Sequence, residues 1–218
     1  MADTQVSAAR ALLTEAARVA CFSGAGLSAE SGISTFRDTE TRALWSRFDP
    51  MKLASPEGFA EDPQRVIEWY NWRRQTLATT RPNPGHNALA GQPGLIQITQ
   101  NVDNLLEQAG CPTSNVIHLH GDITHDRCND QCGYREPVNL ASPPPLRSCP
   151  RCDGWMRPDV VWFGETLPET AWQQAEALVA HCECLLVIGT SASVYPAAGL
   201  PIVAKKAGSR LAIVNREE

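Results

Sequence analysis

The sequence predicts an α/β fold built on a parallel sheet with helices on both faces, and three observations carry that prediction. Short, nearly continuous apolar runs recur at residues 19–22, 95–99, 116–119, 185–188 and 211–214. Strands that are apolar throughout, without alternation, belong to sheets buried on both faces. Stretches with helical spacing lie between several of these runs, at 103–109, 169–180 and 197–206, and strands alternating with helices make a parallel sheet of the Rossmann type. Finally, a glycine-rich turn, Gly24-Ala25-Gly26, leaves the first run directly.

Taken along the chain, residues 6–18 open the fold as a helix, with Val6, Ala9, Leu12, Leu13 and Ala16 on one face. The run 19–22 is the first strand. Glycines at 24 and 26 let the backbone approach a pyrophosphate with no Cβ in the way, and the following N–H groups point at its oxygens. A tight strand-to-helix turn without a ligand fits this short pattern equally well. After the glycine turn, residues 38–84 form a helical insertion rich in aromatics and arginine. It replaces the ordinary crossover, so no ribose-binding acid follows about twenty residues on. A second insertion, 124–157, holds four paired cysteines. The remaining pieces, 1–37, 85–123 and 158–218, make up the Rossmann-like core. Ligands of such sheets bind beyond the carboxyl ends of the strands. The Gly24 turn, residues 100–103, His120 and residues 189–191 each follow a strand, so they should converge.

Composition excludes several classes. The chain has 218 residues, is 43% apolar and carries a net charge of −5, so no basic face suits nucleic acid or an anionic membrane. No apolar run reaches membrane-spanning length. The first residues carry no signal-peptide pattern. A cytoplasmic monomer is expected.

Eight cysteines would suit a secreted disulfide scaffold, but size and spacing point elsewhere. Cys21, Cys111, Cys182 and Cys184 read as small buried hydrophobes. Cys128 with Cys132, and Cys149 with Cys152, form two close pairs in one insertion. Tetrahedral Zn²⁺ takes four thiolates from two such knuckles and leaves no open position for water, so this zinc would be structural. Free thiols or a disulfide pair are the alternative. A nucleic-acid-binding ribbon is disfavoured by the few basic residues between the pairs.

Two further groups carry chemistry. In Val116-Ile117-His118-Leu119-His120-Gly121 alternation puts His118 and His120 on the same face, and the pattern cannot choose between them as a general base. Tyr70 and Arg73, spaced i, i+3 on a helix, share a face. A phenol and a guanidinium together match a carboxylate, although a solvated Arg beside a packed Tyr fits the same spacing.

The stretch 23–37, with Ser28, Ser31-Gly32 and Phe36-Arg37, resembles the cofactor loop of sirtuins, the NAD-dependent protein-lysine deacylases. The likeness continues in the family's order through Gln100-Asn101-Val102-Asp103, His120-Gly121, the four cysteines, residues 160–165, Gly189-Thr190-Ser191 and Asn215. It implies NAD as co-substrate and acylated-lysine proteins or peptides as partners. Gly24, Ala25, Gly26, Ser28, Ser31, Gly32, Phe36, Arg37 and Trp45 would then surround NAD. So would Gln100, Asn101, Val102 and Asp103, with Gly189, Thr190, Ser191, Asn215, Arg216 and Glu217 on the adenosine side. His120 and Asn101 take the catalytic roles. Asn101 and Asp103 also suit the N-cap of the helix that follows. The backbone around Val161 and Phe163 would pair with an extended substrate peptide as a strand-like segment. The pair Tyr70 and Arg73, preceded by Ala54, resembles the sirtuins that remove succinyl, malonyl or glutaryl groups.

Ser23 and Ser34 replace the family's commoner Thr and Pro, both mildly. Family members continue past the Asn215 position through another strand and helix, whereas this sequence stops at Glu218. That implies a weaker NAD site and an exposed sheet edge, or a shortened chain. Alternatives to an acidic-acyl deacylase are a plain deacetylase or ADP-ribosyltransferase on the same site, and an inactive zinc-stabilised NAD sensor or scaffold.

Overall fold

The structure, a computed structural model, describes residues 2–33 and 50–216. Phe36, Arg37, Trp45 and Glu217 lie outside the described residues. The first sheet contains β1 (Val19–Ser23), β2 (Ile96–Thr99), β3 (Val116–His118), β7 (Cys184–Ile188) and β8 (Arg210–Val214). Its order is β3-β2-β1-β7-β8, and every neighbouring pair is parallel. The order reverses between β1 and β7, so the loops that leave these two strands diverge and open a binding crevice there.

Alternation along the strands sends side chains to two separate cores. Ala20, Phe22, Leu185 and Val187 face α8 (Glu169–His181) and α9 (Leu200–Lys206). Cys21, Leu186 and Ile188 face the other way, toward Leu27, Leu89 of α6 (Pro84–Ala90) and Leu106 of α7 (Leu105–Gln108). Both faces are covered, which is why these strands read as unbroken apolar runs. The four singly placed cysteines are all buried, as small hydrophobes should be. Among the described residues, no helix is long and apolar enough to cross a membrane.

Helix α1 (Ala2–Glu15) and the short α2 (Gly26–Ala29) flank β1. The described part of the first insertion is helical: α3 (Pro50–Leu53), α4 (Pro56–Glu61) and α5 (Pro63–Thr79). Each later start is written in local sequence. Ser55 accepts the Gly58 N–H at 3.1 Å and Asp62 accepts the Arg65 N–H at 3.0 Å. Both caps precede a proline at the first helical position. The apolar face of α5, with Val66, Ile67, Tyr70 and Leu77, packs on Ile123, Val160 and Trp162. These belong to, or follow, a second, antiparallel sheet of order β5-β4-β6, formed by β4 (Gly121–Cys128), β5 (Arg135–Pro137) and β6 (Met156–Val160).

Four local expectations need adjustment. The helix expected at 103–109 is the single turn α7. The helix expected at 197–206 begins as a 3-10 turn, Ala197–Gly199. Strand β3 ends at His118, so His120 sits in the following turn. Val161 and Phe163 lie beyond the end of β6, and Phe163 is in a turn.

The tightest contact in the first sheet joins the glycine turn to Gly189. The Gly26 N–H donates to the Gly189 carbonyl at 2.8 Å. A Cβ on Gly26 would stand 2.7 Å from the Gly189 Cα, and Gly189 itself has φ +56°. Gly26→Ala should therefore destabilise the fold by about 1–3 kcal/mol, the usual range for overpacking. Urea denaturation checks this: a midpoint equal to that of the parent protein would contradict the contact.

Candidate active site and cysteine cluster

The ends of β1, β2 and β7 are stitched together by polar groups. Ser23 Oγ donates to Thr99 Oγ1 at 3.0 Å, and the Gln100 N–H donates to the Ser23 carbonyl at 3.0 Å. Gln100 Nε2 reaches Thr190 Oγ1 at 2.8 Å. Asn215 Nδ2 donates to the Thr190 carbonyl at 3.3 Å. The segment 100–103 is thus pinned between the glycine turn and the loop after β7. Ser191 and Arg216 are exposed at the rim, Ala25 precedes α2, and Ser31 and Gly32 follow it.

Asn101 is buried and does not cap a helix. Its Nδ2 donates to the Gly24 carbonyl and to Ser28 Oγ, each at 3.1 Å. Ser28, fully buried, passes its own proton to Asp103 Oδ2 at 2.9 Å. Asp103 Oδ1 accepts the Leu105 N–H at 3.2 Å. Burial pushes the Asp103 carboxyl up, against the hydrogen bonds from Leu105 and Ser28. His86 stands 3.4 Å from Ser28 through Nε2. Its Nδ1 accepts the Asn83 N–H at 3.3 Å, which leaves Nε2 carrying the proton. The sequence reading missed His86. The signal available was a helix start at Asn83-Pro84, with His86 closing a capping box.

The histidine that ends β3 and the one in the following turn differ in their partners. His120 Nδ1 lies 3.0 Å from the Gln100 carbonyl. A carbonyl only accepts, so Nδ1 carries the proton and Nε2 keeps a lone pair. Burial pushes the His120 imidazole below its ordinary range, outweighing the Gln100 bond. His118 has both nitrogens engaged: Nδ1 with the Asn101 carbonyl at 3.1 Å and Nε2 with Glu107 Oε1 at 2.8 Å.

The acyl-pocket candidates adjoin this centre through the chain after β6. The Val161 N–H donates to the His120 carbonyl at 2.9 Å, and the Phe163 N–H to the Ala54 carbonyl at 2.8 Å. The Trp162 N–H goes to Glu165 at 2.8 Å. These three amides are therefore engaged within the chain. Tyr70 is fully buried, and its oxygen accepts the Trp162 indole N–H at 3.0 Å. Arg73 is half-buried, with its guanidinium 4.9 Å from the Trp69 ring and 5.4 Å from that of Tyr70. Among the described residues no carboxylate forms an ion pair with it. Burial pushes the guanidinium down, partly offset by Tyr70 and Asp103.

The four paired cysteines come together. All four sulfurs lie within 4.8 Å of one another, with Cys128–Cys152 at 3.4 Å and Cys132–Cys149 at 3.6 Å. Tetrahedral Zn–S bonds of about 2.3 Å put the sulfurs roughly 3.8 Å apart, so the set fits zinc. None of the eight cysteines forms a disulfide. The extra residue in the first knuckle is absorbed by left-handed backbone at Gln131 and Gly133. The small core beneath is Cys128, Cys149 and Met156, too little to hold β5 and the knuckles by burial alone. Freshly purified protein should carry one zinc per chain by metal analysis, and Cys149→Ser should lose it and unfold the knuckles, since binding energy here is folding energy. A stable, metal-free protein would contradict this.

Comparison with known proteins places this arrangement. Residues 24–196 match the Sir2 family. The chain is 46% identical over 218 aligned residues to an NAD-dependent protein deacylase of Thermus thermophilus, covering 96% of this chain and 83% of that protein. It is also 46% identical over 212 residues to NAD-dependent protein deacylase 2 of Pyrobaculum aerophilum, covering 94% and 82%. Among solved structures, a Sir2 homologue in complex with NAD superposes with a TM-score of 0.89 at 40% identity, over 98% of this chain and 83% of that one. A Sir2 protein bound to a propionylated peptide superposes with a TM-score of 0.83 at 31% identity, over 98% and 87%. The parallel sheet, the pinned Gln100–Asp103 segment and the four-cysteine cluster agree with these matches: the chain belongs to the Sir2 family, the sirtuins.

Proposed function

We propose that this chain is an NAD-dependent protein-lysine deacylase whose acyl pocket favours groups ending in a carboxylate, succinyl and malonyl. The products are nicotinamide, deacylated lysine and O-acyl-ADP-ribose. NAD, when bound, supplies the ribose carbon that receives the acyl oxygen as nicotinamide leaves. The glycine turn and the Gly189–Ser191 loop, with Asn215, Arg216 and Glu217, bind its phosphates and adenosine. Phe36, Arg37 and Trp45, which lie outside the described residues, are assigned to NAD by the family resemblance alone. Asn101, held by Gly24 and Ser28, orients the ribose and water, and Asp103 holds the nicotinamide amide.

His120 is the general base. Its support is the tautomer: Nδ1–H is given to the Gln100 carbonyl, so Nε2 offers a lone pair to a ribose hydroxyl. Depression of the pKa by burial keeps the ring neutral at pH 7. A cytoplasmic location fits a chain with no disulfide among its eight cysteines.

One observation carries the acyl preference. Arg73 has no carboxylate partner among the described residues, and Tyr70, already accepting from Trp162, has its own proton left to give. A substrate carboxylate would satisfy both.

Two outcomes test this reading. His120→Ala should lower deacylation by about 10²–10⁴-fold while NAD binding, followed by calorimetry, persists. The acid limb of kcat/KM in the parent protein should lie below pH 6.5, because the neutral ring is the active form and its pKa is depressed. A fully active His120→Ala would exclude the assignment. With matched peptides, Arg73→Met should cost roughly ten- to a hundredfold in kcat/KM on succinyl-lysine, the worth of a charge-assisted bond, and spare acetyl-lysine. Equal losses on the two peptides would remove the acidic-acyl reading.

A further inference from the structure

We propose that His118 and Glu107 form a positioning pair for this reaction, a proton-dependent clamp on the backbone of Asn101. The inference rests on the deacylase reading above, because that reading gives Asn101 its task. It stands on the two acceptors that flank one ring. The Asn101 carbonyl lies 3.1 Å from Nδ1 and Glu107 Oε1 lies 2.8 Å from Nε2. Neither oxygen can donate while Glu107 is ionised, so both nitrogens must carry protons. A neutral imidazole has only one N–H. Losing the second proton would turn a lone pair toward the carbonyl or toward the carboxylate, at about 3 Å, and one side of the clamp would open.

The surroundings favour the charged ring. The second oxygen of Glu107 is buried without a partner, so its charge is balanced chiefly by His118. Groups facing the ring are Glu107 from α7, Asp122 from β4, and Asp103 from the clamped segment itself. All are acids. Burial alone would lower the imidazole, but the Glu107 carboxylate, the Asn101 carbonyl and Asp122 outweigh it and hold it above 6.5. The clamp is therefore complete below the ordinary histidine pKa and is released as pH rises through the raised one. What it holds matters. His118 fixes the carbonyl of Asn101, and His120 fixes the carbonyl of Gln100 next to it. Two adjacent peptide groups are thereby set from β3 and its following turn, and with them the aim of the Asn101 side chain.

The test uses the whole chain. Histidine ring ¹⁵N shifts at pH 6 should show His118 protonated on both nitrogens, with the second proton lost only above pH 6.5. Glu107→Gln keeps the shape and removes the charge, so the His118 titration should fall by about one to two units. The alkaline limb of kcat/KM for NAD, measured with a saturating acyl-lysine peptide, should move down by the same amount, with rates above that limb lowered about tenfold as the geometry loosens. A wild-type His118 ring that loses its second proton below pH 6.5 would overturn the clamp. So would an alkaline limb that stays in place while the ring titration moves. Should Glu107→Gln fail to fold, the wild-type ring titration decides alone. Absence of deacylation by the wild type would overturn the parent reading, whereas the ring measurement judges the clamp by itself.

Discussion

Backbone touching backbone at the switch between β1 and β7 is the constraint on which the rest of the molecule depends. The two strands run side by side, and the loops that leave them must part within a few residues. They do so in contact: the Gly24 N–H donates to the Ile188 carbonyl at 2.9 Å and the Gly26 N–H to that of Gly189 at 2.8 Å. Side chains on either loop would push them apart by more than a hydrogen bond can stretch. Because the loops stay together, neighbouring strand ends can be tied to them. The Gly189 N–H reaches the Val214 carbonyl of β8 at 3.0 Å, and the Asn101 side chain reaches the Gly24 carbonyl. Four strands therefore deliver their terminal residues to one place.

A second, charged joint fixes the insertion to the small sheet. Arg74 is fully buried. It donates to the carbonyls of Ile123 and His125 at 2.9 and 3.0 Å, to Asp126 at 2.7 Å and to Asn71 at 3.3 Å. The second oxygen of Asp126 takes Arg147 at 2.9 Å, and Arg147 continues to Glu136 at 2.6 Å. Buried ion pairs are tolerable only when hydrogen bonds satisfy the remaining donors and acceptors, and here they largely do. The consequence reaches the acyl pocket. Adjacent arginines on α5 meet opposite fates: Arg74 takes the available acid and the carbonyls of β4, and Arg73 is left against two aromatic rings. The joint that ties the helix to the small sheet thus leaves Arg73 with no ion pair among the described residues.

The sequence was most legible where local pattern and tertiary environment agree. All five strands of the parallel sheet could be read because both faces are buried, so each appears as an apolar run. The cysteine knuckles and the Tyr70/Arg73 spacing were legible for a similar reason, as each is short-range. The run through Val161, Trp162 and Phe163 is apolar but lies beyond the end of β6. Here Glu165 takes the Trp162 N–H and Gly164, at φ +88°, turns the chain. Apolarity in this segment serves packing under α5, where Trp162 meets Phe59 at 5.2 Å and carries the Arg157 guanidinium at 3.7 Å from its ring centroid. The roles of Trp162 and Arg74 could not be found from spacing, because their partners lie roughly 50 to 90 residues away.

His118 and His120 show why pattern alone stops short of chemistry. Both leave the same strand on the same side and differ by two positions, so periodicity gives them equal standing. Their difference lies in how many acceptors each ring meets. One carbonyl facing His120 fixes a single proton on Nδ1, and burial without a counter-ion favours the neutral ring, leaving a base. A carbonyl plus a carboxylate facing His118 demand two protons, and the negative field of Glu107 and Asp122 supports the charge. Nearby histidines thus have different surroundings through partners supplied by α7 and the segment after β2, not through anything in their own tripeptide. Assigning a histidine's role in such a site is a matter of counting the acceptors around each nitrogen, and that count exists only once the chain has folded.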